Sequence, residues 1–207
     1  MTTNHYSRHT NWQKATFFGL IFLFLALAIK LKSSFITDFD TTFQALLKPF
    51  TSPTTTTLVA WLTKLASAPM ELFYAFIVII WLYHQGKKSS AYWAGLTVLV
   101  ANAITYLIKY TIQRPRPSDK LVFASGYSFP SGHTFGATLL ALLIVHFVLP
   151  KIKSNVKRRL DFILACLWVL LVALSRIYLH VHYPSDTLAS VFLALTIWPI
   201  ALNWEKK

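Results

Sequence analysis

The sequence predicts an all-α fold: a polytopic membrane bundle of six spans with both termini in the cytoplasm. Composition is the first sign. Of 207 residues, 55% are hydrophobic and 13% charged, where soluble domains have roughly 45–50% apolar and about 25% charged residues. The second is the recurrence of apolar runs long enough to cross a bilayer, about 17–25 residues each. The third is length, which fits one domain over residues 1–207, with its polar motifs gathered between about residues 90 and 204.

Met1–Gln13 are polar and precede span 1, expected over Lys14–Ile36. Arg8 and Lys14 ahead of the apolar run resemble the charged flank of a signal peptide. Lys30-Leu31-Lys32 follows where a small-residue cleavage site belongs, so the segment reads as a retained span. Thr37–Pro53 reads as a loop along the membrane surface, with Phe39, Phe43, Leu46, Leu47 and Phe50 at helical spacing. Thr54–Ser67 reads as a short helix that is broken or kinked at Ala68-Pro69 and either continues span 2, Met70–His84, or packs on it. Span 3 is expected over Ser90–Ile112. Gln113–Phe129 is a long polar connection in which Pro115 and Pro117 prevent helix. Span 4 is Ser131–Leu149, Pro150–Arg159 a basic loop, span 5 Leu160–Leu179 and span 6 Pro184–Trp204.

An even number of spans puts both termini on one side, and basic loops decide which. With the termini inside, the cytoplasmic residues include Arg8, Lys14, Lys87, Lys88, Lys151, Lys153, Lys157, Arg158, Arg159, Lys206 and Lys207, eleven of the 20 Lys and Arg. Four of the remaining nine, Lys109, Arg114, Arg116 and Arg176, sit in the motifs described below. A net charge of +13 in a soluble protein would direct attention to nucleic acid. Beside apolar spans it matches basic loops on anionic lipid heads, and no nucleic-acid partner is expected. Cys166 is the one cysteine; it excludes an intrachain disulfide or thiolate metal site and reads as a buried core residue.

With this topology three polar clusters share the outer face. They are Lys109 to Pro117, Pro130-Ser131-Gly132-His133, and Ser175 to Asp186. Ionisable side chains at membrane depth are costly and usually functional. Lys109, Arg116 and Arg176 can neutralise a phosphate and donate to its oxygens. Ser131 is a good helix N-cap, and the N–H groups of Gly132 and His133 at a helix start suit an anion. Of two histidines, one can attack phosphorus while the other protonates the leaving oxygen. The attacking ring must be neutral and oriented by a carboxylate, which His182 with Asp186 provides, leaving His133 as the acid. Because Tyr183-Pro184 disfavours a continuous helix there, the spacing alone does not set the His182–Asp186 distance.

Lys109-x6-Arg116-Pro117, Pro130-Ser131-Gly132-His133 and Ser175-Arg176-x5-His182-x3-Asp186 resemble, in order and spacing, the three-part signature of the type 2 phosphatidic acid phosphatase superfamily. The resemblance runs from about Ser90 to the C-terminus. It implies His182 as a nucleophile that forms a phosphohistidine, Asp186 as its partner and His133 as general acid. It further implies that Lys109, Arg116, Ser131, Gly132 and Arg176 hold phosphate. No cofactor or metal is implied, and vanadate, phosphate or tungstate are expected as site-binding anions. The substrate class is a lipid phosphate, such as phosphatidylglycerophosphate, phosphatidic acid or undecaprenyl pyrophosphate. The expected setting is the outer face of a bacterial cytoplasmic membrane, with membrane lipids and no protein as partners. Two other readings use the same pocket: a non-hydrolytic lipid-binding or translocating protein, and a phosphotransferase. A vanadium haloperoxidase shares the constellation, but its relatives are soluble.

Other polar residues read as structural. Arg114 is either a substrate contact or an interfacial arginine. His180 points elsewhere than His182, Asp119 and Lys120 are solvated, and Tyr127, Tyr178 and Tyr183 belong to an interfacial belt. Glu71, at the outer start of span 2, is expected to be a hydrogen-bonded structural carboxyl.

Overall fold

Every regular element among the described residues is helical, and six helical segments are long and apolar enough to span a membrane. The protein is a multi-pass membrane protein. The computed structural model describes residues 2–205, with side chains from residue 8 on. Met1, Lys206 and Lys207, the last two counted in the charge balance, lie outside the described residues.

Helix α1 spans Thr2–Lys30, so the polar lead-in is already helical. It stops six residues before the expected Ile36. Lys32 adopts a left-handed conformation, and Ser33 N–H closes back onto the Ala28 carbonyl at 2.9 Å, a C-terminal helix stop. Ile36 therefore falls in a separate helix, α2 (Ser34–Leu47), which buries Ile36 and Asp40. The segment expected to be a loop is mostly this helix, and its exposed Phe35, Phe43 and Leu46 suit an interfacial position.

Ser52 and Thr55 form a reciprocal capping box at the start of α3 (Pro53–Lys64), which explains why the threonine run is helical. The break expected at Ala68-Pro69 falls between α3 and the next helix, and Pro69 belongs to the later of the two. It occupies the first turn of α4 (Ala68–His84), where its missing N–H costs nothing. Together α3 and α4 make the second span, Pro53–His84. Helix α5 is Lys88–Ile112. Helix α6, Gly132–Leu143, runs on through a π turn at Ile144–Val148 and a 3-10 turn to Lys151. Helix α7, Asn155–Tyr178, starts five residues before the expected Leu160, because Ser154 caps it through the Lys157 N–H. Helix α8 is Pro184–Leu202.

The core lies among α1, α4, α5, α6 and α8. Ala94, Ala101, Ala189 and Ala194 are fully buried, and such small residues let helix backbones approach closely. Helix α1 lies along α8, with Gly19 against Thr196. Helix α7 is largely peripheral, and Cys166 is exposed on it rather than buried, because it faces away from the bundle. Asn11 donates to Asn203 at 3.1 Å, which brings both chain ends to one end of the bundle. Lys30 reaches the carbonyls of Thr111 and Ile112 at the other.

One close approach is testable. A Cβ on Gly136 of α6 would overlap the Glu71 carboxylate of α4. Glu71 is buried and lies within reach of Asn102 of α5, in keeping with a structural carboxyl. Gly136→Ala is expected to destabilise by about 1–3 kcal/mol, read as a lowered melting temperature in detergent. In a Glu71→Ala background the same substitution should be nearly neutral, since nothing then occupies the space.

Candidate active site

The site is assembled at the end of the bundle away from the termini, where three chain segments converge. Helix α5 ends with Gln113 in a left-handed conformation, and the chain leaves it extended through Pro115 and Pro117. Ser128 then folds the loop back, its N–H and hydroxyl donating to carbonyls of Arg114 and Pro115. This return delivers Pro130 and Ser131 to the start of α6. Ser131 is fully buried. Its hydroxyl caps α6, accepting weakly from Thr134 N–H at 3.5 Å and lying 3.1 Å from the Thr134 hydroxyl. Ser190 Oγ accepts the Ser131 N–H at 2.8 Å. The first N–H groups of α6, at Gly132 and His133, have no acceptor within the helix.

The third segment begins where α7 ends. His180 is left-handed, and this bend allows the N–H groups of Val181 and His182 both to return to the Arg176 carbonyl. Arg176 and His182, six residues apart, are thereby placed side by side. Pro184 opens α8, and Asp186 in its first turn reaches back to accept the Tyr183 N–H at 2.9 Å. The same carboxylate oxygen, Oδ2, stands 3.6 Å from His182 Nδ1. That distance exceeds a hydrogen bond, and His182 Nδ1 has no other partner. Catalytic hydrogen bonds are often long before a ligand tightens them.

On its other side, His182 Nε2 lies 3.1 Å from Arg116 Nη1. A guanidinium can only donate, so Nε2 is the acceptor and the ring proton sits on Nδ1, toward Asp186. Burial, joined by the charges of Arg116 and Arg176, holds the His182 ring down to about pKa 4 against the pull of Asp186. The ring is thus neutral around pH 7. Arg116 also donates to carbonyls of Ser125, Gly126 and Val181; burial lowers its pKa, and Asp186 partly offsets this. Lys109 Nζ donates to the Tyr127 and Pro130 carbonyls at 2.9 and 2.8 Å. Arg176 is buried with its Nε unpaired. His133 lies within electrostatic range of Arg176, His182, Arg116 and Lys109. All eight residues singled out in the sequence are therefore collected at one end of the bundle. Three cations and two histidines share one neighbourhood, an arrangement that can bind a phosphate and pass a proton.

Several residues take different places from those expected. Arg114 is engaged by other side chains of the protein. It forks between Asp40 Oδ2 and Asp186 Oδ1, each at 2.6 Å, beneath the Tyr183 ring at 3.9 Å. Burial disfavours the Arg114 charge, but Asp186 and Asp40 outweigh it and raise its pKa. Asp119 is exposed yet paired, its Oδ2 lying 2.6 Å from His180 Nδ1, so His180 anchors the loop. The Tyr178 side chain is buried, its hydroxyl bonded to Thr55 and Thr56. Asp40 was missed altogether. Its signal was an acid in an apolar, helically spaced stretch.

A family model, the PAP2 superfamily, matches residues 90–207. Among curated proteins, phosphatidylglycerophosphatase B of Bacillus subtilis is 31% identical over 121 residues, 56% of this chain and 60% of that protein. Undecaprenyl-diphosphatase BcrC of the same organism is 32% identical over 133 residues, 60% and 63% of the two chains. The match thus spans less than two thirds of each relative. A solved PAP2 type phosphatidylglycerolphosphate phosphatase from B. subtilis superposes with a TM-score of 0.82 at 25% identity, over 92% of this chain and 95% of that one. LpxE of Aquifex aeolicus shares the fold, with a TM-score of 0.61 at 21% identity over 79% and 94%.

Proposed function

The chain belongs to the PAP2 superfamily, and from that premise we propose that it is a phosphatase of membrane lipid phosphates working through His182. The observation that carries this reading is the disposition of His182 itself. Its Nε2 is unprotonated and faces the cationic group of Arg116, while its Nδ1 proton faces Asp186. A phosphate bound by Lys109, Arg116, Arg176 and the N–H groups at the start of α6 brings its phosphorus to Nε2.

In the first step Nε2 attacks phosphorus, and the bond from phosphorus to the lipid oxygen breaks. His133 gives its proton to that oxygen. Charge forming on the imidazole is balanced by Asp186 through Nδ1. In the second step water attacks the phosphohistidine, His133 takes the water proton, and inorganic phosphate leaves. Fixed cations and donors supply the charge stabilisation that phosphoryl transfer demands, so the reaction is proposed to proceed without metal. Phosphatidylglycerophosphate, phosphatidic acid and undecaprenyl pyrophosphate are the proposed substrates, by analogy with the relatives' names.

The whole chain acts as one domain, with its termini in the cytoplasm and its site at the outer face of a bacterial cytoplasmic membrane. A site at the helix ends suits a lipid, whose tail stays in the bilayer while the head enters.

The test is phosphate release by purified protein in detergent with EDTA, compared across the three lipids. Release undiminished by EDTA and blocked by vanadate or tungstate is expected. No release from any lipid, with retained lipid binding, would instead favour a binding or translocating protein.

A further inference from the structure

Resting on that reading of the site, we propose that Asp40 is a positioning residue for the reaction, acting through Arg114 on the carboxylate of Asp186. Asp40 lies on α2, outside the stretch matched by the family, yet it is 2% exposed and faces α8. Its Oδ2 holds Arg114 Nη2 at 2.6 Å and accepts the Ser185 hydroxyl at 2.8 Å, while Oδ1 accepts the Ser185 N–H at 2.8 Å. Arg114 Nη1 in turn holds Asp186 Oδ1 at 2.6 Å. This grip leaves Oδ2 of Asp186 as the oxygen that faces His182.

Charge explains why Arg114 alone would not suffice. Asp40, Arg114 and Asp186 sum to one negative charge, which remains available when the His182 ring becomes cationic during attack. Without Asp40 the guanidinium would neutralise Asp186 by itself, and the nucleophile would lose its counter-charge. Two acceptors hold the planar fork of arginine more firmly than one, so losing Asp40 loosens the hold of Arg114 on Asp186 Oδ1 and leaves the Tyr183 N–H as the firmer anchor of that carboxylate. Outer partners that orient the ligands of a metal site are commonly worth about 10–100-fold in activity, and the same scale is expected of the orienting chain that runs from Asp40 through Arg114 and Asp186 to His182.

A cavity of about 520 Å³ borders Asp40, Arg114 and Tyr183, large enough to admit a small carboxylate. The experiment compares wild type, Asp40→Asn and Asp40→Ala for lipid-phosphate hydrolysis, and for vanadate binding by calorimetry. Asp40→Asn is expected to lower kcat about 10–100-fold, with KM and vanadate affinity held within about threefold. Formate should restore part of the activity of Asp40→Ala and none of that of His182→Ala. The inference is overturned if Asp40→Asn matches wild type, if kcat and vanadate affinity fall together as in a damaged fold, or if formate has no effect. An inactive wild type would overturn the phosphatase reading and this inference with it. An active wild type with an indifferent Asp40→Asn overturns this inference alone.

Discussion

His182→Ala is expected to reduce phosphate release about 10⁴-fold or more, the scale of losing a covalent nucleophile. His133, the other histidine of the pair, sits at the start of α6 and in the proposed scheme hands over the proton; it cannot also attack. The loss should be chemical rather than structural. His182 is buried at the bend between α7 and α8, where the backbone is held by the Arg176 carbonyl. Arg116 keeps its bonds to the Ser125, Gly126 and Val181 carbonyls. Quenching wild type with alkaline detergent during turnover of a labelled lipid phosphate should trap phosphoprotein that survives alkali and is lost in acid, and that is absent from His182→Ala. Hydrolysis by His182→Ala at the wild-type rate would sink the assignment. The pH profile is a second check. Because the folded ring titrates near 4, below the ordinary value near 6.5, the nucleophile stays unprotonated on acidification to about pH 5. The acid limb of kcat/KM set by His182 should therefore fall near pH 4.

Arg114→Ala carries the largest expected cost in stability. It leaves two buried carboxylates, Asp40 and Asp186, without the cation that each touches at 2.6 Å. Breaking a buried ion pair from one side costs about 3–5 kcal/mol, which is roughly 6–20 °C in melting temperature for a chain of this size. The pH dependence has a definite sign. Burial already raises the Asp40 pKa, and Arg114 is what opposes that rise. Without the arginine the folded pKa climbs further above the unfolded value, so the folded state of the variant binds more protons. The destabilisation is then greatest at neutral pH and shrinks as pH falls into the carboxyl range. Arg114→Lys should lie between, since one ammonium cannot fork to two carboxylates. Unfolding of Arg114→Ala within about 2 °C of wild type would mean that this ion pair contributes little. Activity should fall as well, because Asp186 loses the guanidinium that holds its Oδ1 and, with it, part of what aims its Oδ2 at His182.

Much of the protein could be read from the chain alone, for a simple physical reason. A bilayer imposes a length and an apolarity on each span, so all six crossing segments were legible in one dimension. Phosphate chemistry demands cations, a helix start and paired histidines, and these stood in three short motifs whose members are collected at one end of the bundle. Boundaries were harder. The stop of α1 at Lys30 and the early start of α7 at Asn155 are set by caps and left-handed turns a few residues long.

What only the tertiary structure decided are the partnerships between distant segments. Nothing near Asp40 in sequence announces that Arg114 and Ser185 will meet it, 74 and 145 residues away. Nothing near Arg114 says that it will hold a carboxylate on either side rather than a lipid head. Gly136 and Glu71 are intelligible only once α4 and α6 are packed together. Hydrophobic length acts along a chain and can be counted there. A buried charge takes its role from whichever groups the fold brings within about 3 Å, the reach of a hydrogen bond.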